Sequence, residues 1–209
     1  MLEGLKTKLL GEKISKKEYE DLFGKEETFE TKDEFESFAL GMSEYYEEMR
    51  EEYKEIAKKE KQALMKNLAK QFPNEKLLTN VKIGKYKIDG ILFTRKEIFL
   101  MSFFSTEYNI LGSPYSSILK TSDEKEYINP LGQVFVWMDK IKKEKCFAKV
   151  DIYPLVFVKN LNHVSPEIYQ NPYWHDIATL SRMLSWNKSM KYSPERIKEI
   201  YDTFLTYQS

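Results

Sequence analysis

The chain has 209 residues with 33 basic and 33 acidic side chains, so its formal net charge is zero, and 42% of its residues are hydrophobic. This composition supplies enough apolar side chains for a core, and it excludes a disordered chain and a uniformly basic binder of nucleic acid. A single cysteine, Cys146, excludes a disulfide framework and a multi-cysteine zinc site.

The first 55 residues are predicted to form an acidic helical extension. Residues 18–55 contain 15 acidic and four basic side chains, a charge that would repel a phosphate backbone. Ser15 with Glu18, and Thr31 with Glu34, each fit a capping box that begins a short helix. The N-terminus has no signal-peptide pattern and no apolar run approaches a membrane span, so we expect a cytoplasmic protein without a membrane partner.

A long helix is predicted from about residue 43 to residue 72, where Pro73 ends it. Its apolar stripe has a gap centred on Glu60, which lies four residues from both Ile56 and Leu64. This spacing places the Glu60 carboxylate on the buried stripe, where it would need a partner. The alternative is an exposed glutamate at the edge of the stripe.

The apolar period then changes from helical spacing to two. Residues 78–83, 87–93 and 97–104 are separated by short turns and predict an antiparallel three-stranded meander. Asp89 interrupts an otherwise apolar second strand, so it is a second acid at a position typical of the core. Residues 105–129, rich in serine and charge, are interpreted as a long loop.

The last third of the chain is predicted to alternate helix and strand. The predicted elements are a helix over 130–145, a strand over 150–158, and helices over 173–186 and 194–205. Pro154 predicts a bulge or an edge position in that strand. Ser193 is the expected cap of the last helix, and Trp174 and Trp186 are the expected core anchors.

Five sequence segments, in their order along the chain, resemble those of a known protein family. They are 78–83 (Leu-Thr-Asn-Val-Lys-Ile), 87–93 (Lys-Ile-Asp-Gly-Ile-Leu-Phe), 129–133 (Asn-Pro-Leu-Gly-Gln), 153–160 (Tyr-Pro-Leu-Val-Phe-Val-Lys-Asn) and 192–197 (Tyr-Ser-Pro-Glu-Arg-Ile). Together they resemble the nuclease-related domain (NERD) family of the restriction-endonuclease-like superfamily, over about residues 56–207. The resemblance implies an α/β fold with a restriction-endonuclease-like core, a mixed central sheet flanked by helices, over residues 56–209.

The resemblance also implies a metal-dependent phosphodiesterase site, in which carboxylates hold Mg²⁺ and a lysine stabilises charge. The family's helix acid falls on Glu60, its strand-two acid on Asp89 and its glutamine on Gln133. Asp89 and Glu60 would then be the metal ligands. The family's Glu and Lys on strand three fall on Ser102 and Phe104, so two of the groups that the chemistry needs are substituted.

Three functions remain open at this point. The substitutions at Ser102 and Phe104 favour a non-catalytic nuclease fold that binds nucleic acid or a protein and needs no cofactor. In such a site we expect Glu60, Asp89 and Gln133 to lie near the Ser102 hydroxyl. The second function is an active Mg²⁺-dependent DNA or RNA nuclease with a migrated site. Its missing acid would come from the loop and its base from Lys82 or Lys87; the loop acids are Glu107, Asp123, Glu124 and Glu126.

The third function is a protein-interaction module that acts through the N-terminal helices. Removal of residues 1–55 is then expected to abolish partner binding and to leave the core folded.

Other polar groups point less clearly to chemistry. His163 and His175 fit no ligand pattern and are interpreted as structural or surface residues, and Cys146 has no evident base partner. Two lysine clusters are candidate phosphate contacts or simply solvated charges. They comprise Lys58, Lys59 and Lys61, and Lys142, Lys143 and Lys145.

Overall fold

The computed structural model describes residues 27–44, 46, 58–186 and 189–207, with the backbone alone for residues 58–60. In chain order its elements are α1 (Lys32–Gly41), α2 (Lys58–Gln71), β1 (Lys76–Ile83), β2 (Tyr86–Phe93), β3 (Ile98–Phe104), β4 (Ile110–Leu111), β5 (Ile118–Thr121), β6 (Glu126–Ile128), α3 (Pro130–Lys143), β7 (Tyr153–Val158), a 3₁₀ turn (Leu161–His163), α4 (Pro166–Tyr169), β8 (Trp174–His175), α5 (Ile177–Trp186) and α6 (Pro194–Leu205). The predictions for residues 1–26, including the Ser15 capping box, and for 47–57 lie outside the described residues.

The centre of the fold is a mixed five-stranded sheet in the order β1-β2-β3-β7-β8. The predicted meander is confirmed, because β1, β2 and β3 pair antiparallel in sequence order. Strand β7 returns parallel to β3, with Phe104 opposite Val158 at their shared carboxyl ends. Helix α3 lies between them in the chain, as a parallel connection requires. The fold is therefore α/β with flanking helices.

The prediction of a loop over residues 105–129 is wrong. This segment forms a second antiparallel sheet of β4, β5 and β6. Its strands have only two to four residues, too short for their alternation to be distinguished from a loop by the sequence pattern. The turn between β5 and β6 contains Glu124 with φ of 65°, a left-handed conformation that the pattern did not indicate.

Alternate residues of the central strands face two separate cores. On β3, Ile98 and Leu100 face a first core that also contains side chains of α1, α3 and α6. Phe99, Met101 and Phe103 face a second core, formed with α2 and α5. Because both faces of the sheet are covered at β3, this strand is apolar at successive positions rather than at every second one.

Helix α1 belongs to the first core, although it comes from the segment predicted as a separate extension. Thr31 caps it by accepting a hydrogen bond from the Glu34 backbone N–H at 3.3 Å, as predicted. Phe35 and Met42 are fully buried, and the Phe35 ring lies 6.1 Å from that of Phe135 on α3. A boundary at residue 55 stays a prediction, but the described residues before it share the core of the rest.

The start of α3 is fixed by one buried amide side chain. Asn129 is fully buried, and its Oδ1 accepts a hydrogen bond from the Leu131 backbone N–H at 3.0 Å. Its Nδ2 donates to the backbone carbonyls of Pro114 and Ser116, at 2.9 and 2.8 Å. The Asn-Pro pair at residues 129–130 therefore ties the helix to the segment that precedes β5.

Replacing Asn129 with alanine is expected to lower the free energy of unfolding by about 2–4 kcal/mol, because one helix cap is lost and two buried carbonyls lose their donor. Chemical denaturation of the two proteins measures the difference. Asn162→Ala is a matched control, since Asn162 is exposed and should cost less than about 0.5 kcal/mol. Equal midpoints for all three proteins would contradict this role for Asn129.

Two details of the C-terminal third differ from the predictions. The helix predicted over 173–186 begins at Ile177, because Trp174 and His175 form strand β8 and Asp176 caps the helix by accepting from Thr179 N–H at 2.9 Å. Trp174 is a buried anchor as expected, but Trp186 is 76% exposed, so that prediction is wrong.

Pro154 lies in β7 inside the five-stranded sheet, but at a place where a proline is tolerated. Strand β8 pairs only with Val156 and Phe157, so among the described residues no strand neighbours Pro154 on that side. The predicted edge position is thus correct locally. The last helix is capped as predicted, with Ser193 Oγ accepting from the Arg196 backbone N–H at 3.1 Å. Within the described ranges, no helix combines the length and apolarity needed to cross a bilayer.

Candidate functional site

The regular alternation of side chains between the two faces of the sheet breaks once on β1 and once on β2. The two breaks lie opposite each other. Ile88 and Ile91 both face the first core although they are three residues apart, and so do Leu78 and Val81 on β1. Asn80, with φ of 56°, supplies the change of phase on β1. An odd spacing between residues of one face requires such a local distortion. The residue of β2 at this point is Asp89.

Asp89 lies where β2 leaves β3. The recorded pairing of the two strands ends at Gly90 opposite Met101, one position before Asp89 would face Ser102. Gly90 allows the close approach there, since a Cβ at this position would lie 2.7 Å from the Phe103 ring. The carboxylate of Asp89 thereby reaches the gap between the strand ends.

Three donors converge on a single oxygen of Asp89. Its Oδ2 accepts hydrogen bonds from Lys61 Nζ at 3.0 Å, the Phe103 backbone N–H at 3.2 Å and Ser102 Oγ at 3.3 Å. The Asp89 side chain is 6% exposed and that of Lys61 is 25% exposed. A buried carboxylate needs both a cation and hydrogen-bond donors, and this site supplies both. The expected proximity of Asp89 and Ser102 is confirmed.

Lys61 is the residue of this site that the sequence reasoning missed. The sequence places it in a cluster of phosphate-contacting or solvated lysines, but its ammonium pairs with Asp89, so it is not simply a solvated charge; a phosphate contact stays a prediction. The available signal was helical spacing. Lys61 precedes the buried Leu64 by three residues and Leu68 by seven, so it lies on their face of α2.

The other predicted site residues are placed as follows. Gln133, on α3, is 5% exposed, and its Nε2 has no hydrogen-bond partner among the described residues. Phe104 is half-buried at the end of β3, two residues beyond Ser102 and on the same face. For Glu60 the structure gives the backbone within α2, but its side chain lies outside the described residues.

Of the four candidates for a migrated acid, Asp123 and Glu126 are engaged locally on the β5–β6 hairpin, whereas Glu107 and Glu124 form no ion pair with a described residue. Asp123 is paired with Lys125 at 2.8 Å and accepts from Thr121 Oγ1 at 2.5 Å, and these hydrogen bonds lower the pKa of its carboxyl. Glu126 lies 3.8 Å from Lys120 Nζ across the same hairpin. Both acids therefore have structural partners within the β5–β6 hairpin.

Of the two expected metal ligands, only Asp89 has a described side chain, and it pairs with Lys61; the side chain of Glu60 lies outside the described residues, so a metal at this site stays a prediction. Mg²⁺ takes oxygen ligands in octahedral geometry, and in phosphoryl-transfer sites one or two carboxylates hold it together with waters and substrate phosphates. Here one carboxylate is neutralised by the ammonium of Lys61. Nowhere in the described part of the chain do three or more His, Cys, Asp or Glu side chains cluster as a metal site would require.

Comparison with known proteins identifies no relative: no protein family, no curated protein and no solved structure matches this chain.

Proposed function

We propose that this chain is a non-catalytic protein with a restriction-endonuclease-like core, similar to the NERD family, and that it acts by binding nucleic acid. The observation that carries the proposal is the Asp89 carboxylate, whose Oδ2 accepts from Lys61, Ser102 and the Phe103 backbone. An acid held in this way has a fixed structural partner in place of a metal ion. The hydroxyl of Ser102 adds no charge that could attract one.

The arrangement of the strands supports the nuclease-like assignment. The acid lies on the second strand of an antiparallel meander, at the point where that strand separates from the third. The third strand then pairs with a parallel strand reached through a buried helix that begins with Asn-Pro. This is the order of elements that the resemblance implies for such a core.

Binding, rather than cleavage, is also consistent with the charges near the end of β3. Ser102 and Phe104 replace the acid and the base that the resemblance places there. Lys159 follows β7 directly, is exposed, and forms no ion pair with any described residue. A lysine in this position can contact a phosphate without any metal.

The test is a pair of assays on the purified full chain. Incubation with single- and double-stranded DNA and RNA in Mg²⁺ or Mn²⁺ is expected to yield no cleavage products. Fluorescence anisotropy with the same nucleic acids is expected to show binding that weakens as salt rises. Metal-dependent cleavage that disappears in Asp89→Asn, or the absence of binding to all four nucleic acids at low salt, would refute the proposal.

A further inference from the structure

A cavity of about 260 Å³ opens beside the carboxyl ends of the parallel strands β3 and β7. Phe104, Ile110 and Val158 form its apolar lining, and the ionisable side chains of Glu107, Lys159 and His163 also line it. In open α/β sheets, ligands bind in crevices at the carboxyl ends of the strands. The volume lies just below the roughly 300–1,000 Å³ of ordinary ligand clefts, so it suits a small ligand.

Three ionisable groups of this cavity have no ion-pair partner among the described residues. Glu107, Lys159 and His163 are exposed, and none of them forms an ion pair with another described residue. This differs from Asp123 and Glu126 on the neighbouring hairpin, which are paired within it. An acid, an ammonium group and an imidazole around one apolar cavity match a ligand that carries both an anion and hydrogen-bond donors.

Of the two aromatic rings that line the cavity, Phe104 and Tyr108, the ring of Phe104 is held in place by its neighbours. Phe104 packs edge-to-face with Tyr127 at 5.4 Å and with Trp174 at 6.4 Å between ring centroids. Trp174 is buried, so the position of the Phe104 ring is fixed from within the core. A fixed aromatic side chain is a suitable stacking partner for a nucleobase.

We propose that this cavity binds a single guanine nucleotide, free or as an unpaired guanine of a nucleic-acid strand. The base would stack on Phe104, its adjacent N1–H and N2–H groups would donate to the two oxygens of Glu107, and the phosphate would contact Lys159 and His163. A carboxylate offers two acceptors side by side and no donor, whereas the edge of adenine would need a donor as well. This inference rests on the proposed function, since it assigns that function its ligand.

The experiment is a calorimetric titration of the full chain with 5′-GMP, 5′-AMP, guanosine and inorganic phosphate. We expect 5′-GMP to bind saturably and about tenfold more tightly than each of the other three. Lys159→Met should weaken 5′-GMP binding about tenfold or more, and Glu107→Gln should remove the preference for 5′-GMP over 5′-AMP, because a glutamine amide suits adenine. Lys198→Met and Glu34→Gln, at exposed positions outside the cavity, are the matched controls and should bind as the unmodified chain does.

Three results would overturn the inference: no saturable binding of 5′-GMP, equal affinity for 5′-AMP or phosphate, or unchanged selectivity in Glu107→Gln. A single-stranded oligonucleotide with one guanine separates the two sources of the ligand. Tighter binding of the oligonucleotide than of 5′-GMP supports a strand guanine, and equal or weaker binding supports a free nucleotide. If oligonucleotides bind and 5′-GMP does not, the cavity inference fails while the proposed function stands; metal-dependent cleavage overturns the proposed function whatever 5′-GMP does.

Discussion

Replacing Phe35 with alanine is expected to lower the free energy of unfolding by about 3–5 kcal/mol. Phe35 is fully buried, and its ring lies within 6.1 Å of the rings of Phe29, Tyr115 and Phe135. Truncation would leave a cavity between α1 and α3, which cannot collapse without moving either helix. Urea denaturation of both proteins measures the change.

The control for this substitution is Ser37→Ala on the exposed side of the same helix, which should change the free energy of unfolding by less than about 0.5 kcal/mol. Loss of α1 altogether should be more severe. Because Phe35, Phe38, Ala39 and Met42 are all buried in the first core, a chain that begins at residue 56 is expected not to fold cooperatively. This replaces the expectation that removal of residues 1–55 leaves the core folded. Cooperative two-state unfolding of such a fragment would contradict it.

Replacing Lys61 with methionine is expected to destabilise the protein by about 2–3 kcal/mol, since it leaves the buried Asp89 carboxylate without its cation. The effect is somewhat below the roughly 3–5 kcal/mol of fully buried pairs, because the Lys61 side chain is 25% exposed and water can partly replace it. Thermal and urea unfolding at neutral pH measure the loss. Lys66→Met, at an exposed position of the same helix, is the control and should be nearly neutral.

A double-mutant cycle isolates the ion pair from the packing of the lysine stem. Asp89→Asn keeps the shape of the side chain and removes its charge, so Lys61→Met should cost far less in that background than in the unmodified chain. A coupling free energy near zero would show that the 3.0 Å contact between Lys61 and Asp89 contributes little to folding. It would contradict the stabilising role of this ion pair.

Much of the fold could be predicted because its signals are local. Thr31 and Ser193 cap their helices as the hydroxyl patterns indicated, and the change to an apolar period of two marked the three strands of the meander. The short strands of residues 105–129 could not be predicted, since two to four residues carry too little periodicity and their pairing depends on contacts distant in sequence.

Part of the candidate site could also be predicted, because its signal is local in the sequence. An acid at position 89 within an apolar strand indicated a polar centre, and the structure places the Ser102 hydroxyl beside it. The identity of its partner was not predictable from the strand, because Lys61 lies 28 residues away on a helix of the opposite core. Helical spacing put Lys61 on the buried face, but only the tertiary fold shows which carboxylate it meets.

The most direct test of the central claim, that an ammonium group takes the place of a metal ion at Asp89, is a Mn²⁺ titration of the full chain followed by water-proton relaxation. The unmodified protein and Asp89→Asn should give the same weak, non-saturating response, because the Asp89 oxygen is already held by Lys61, Ser102 and Phe103. A saturable Mn²⁺ site in the unmodified protein that is absent from Asp89→Asn would contradict the claim, and with it the proposal of a non-catalytic fold.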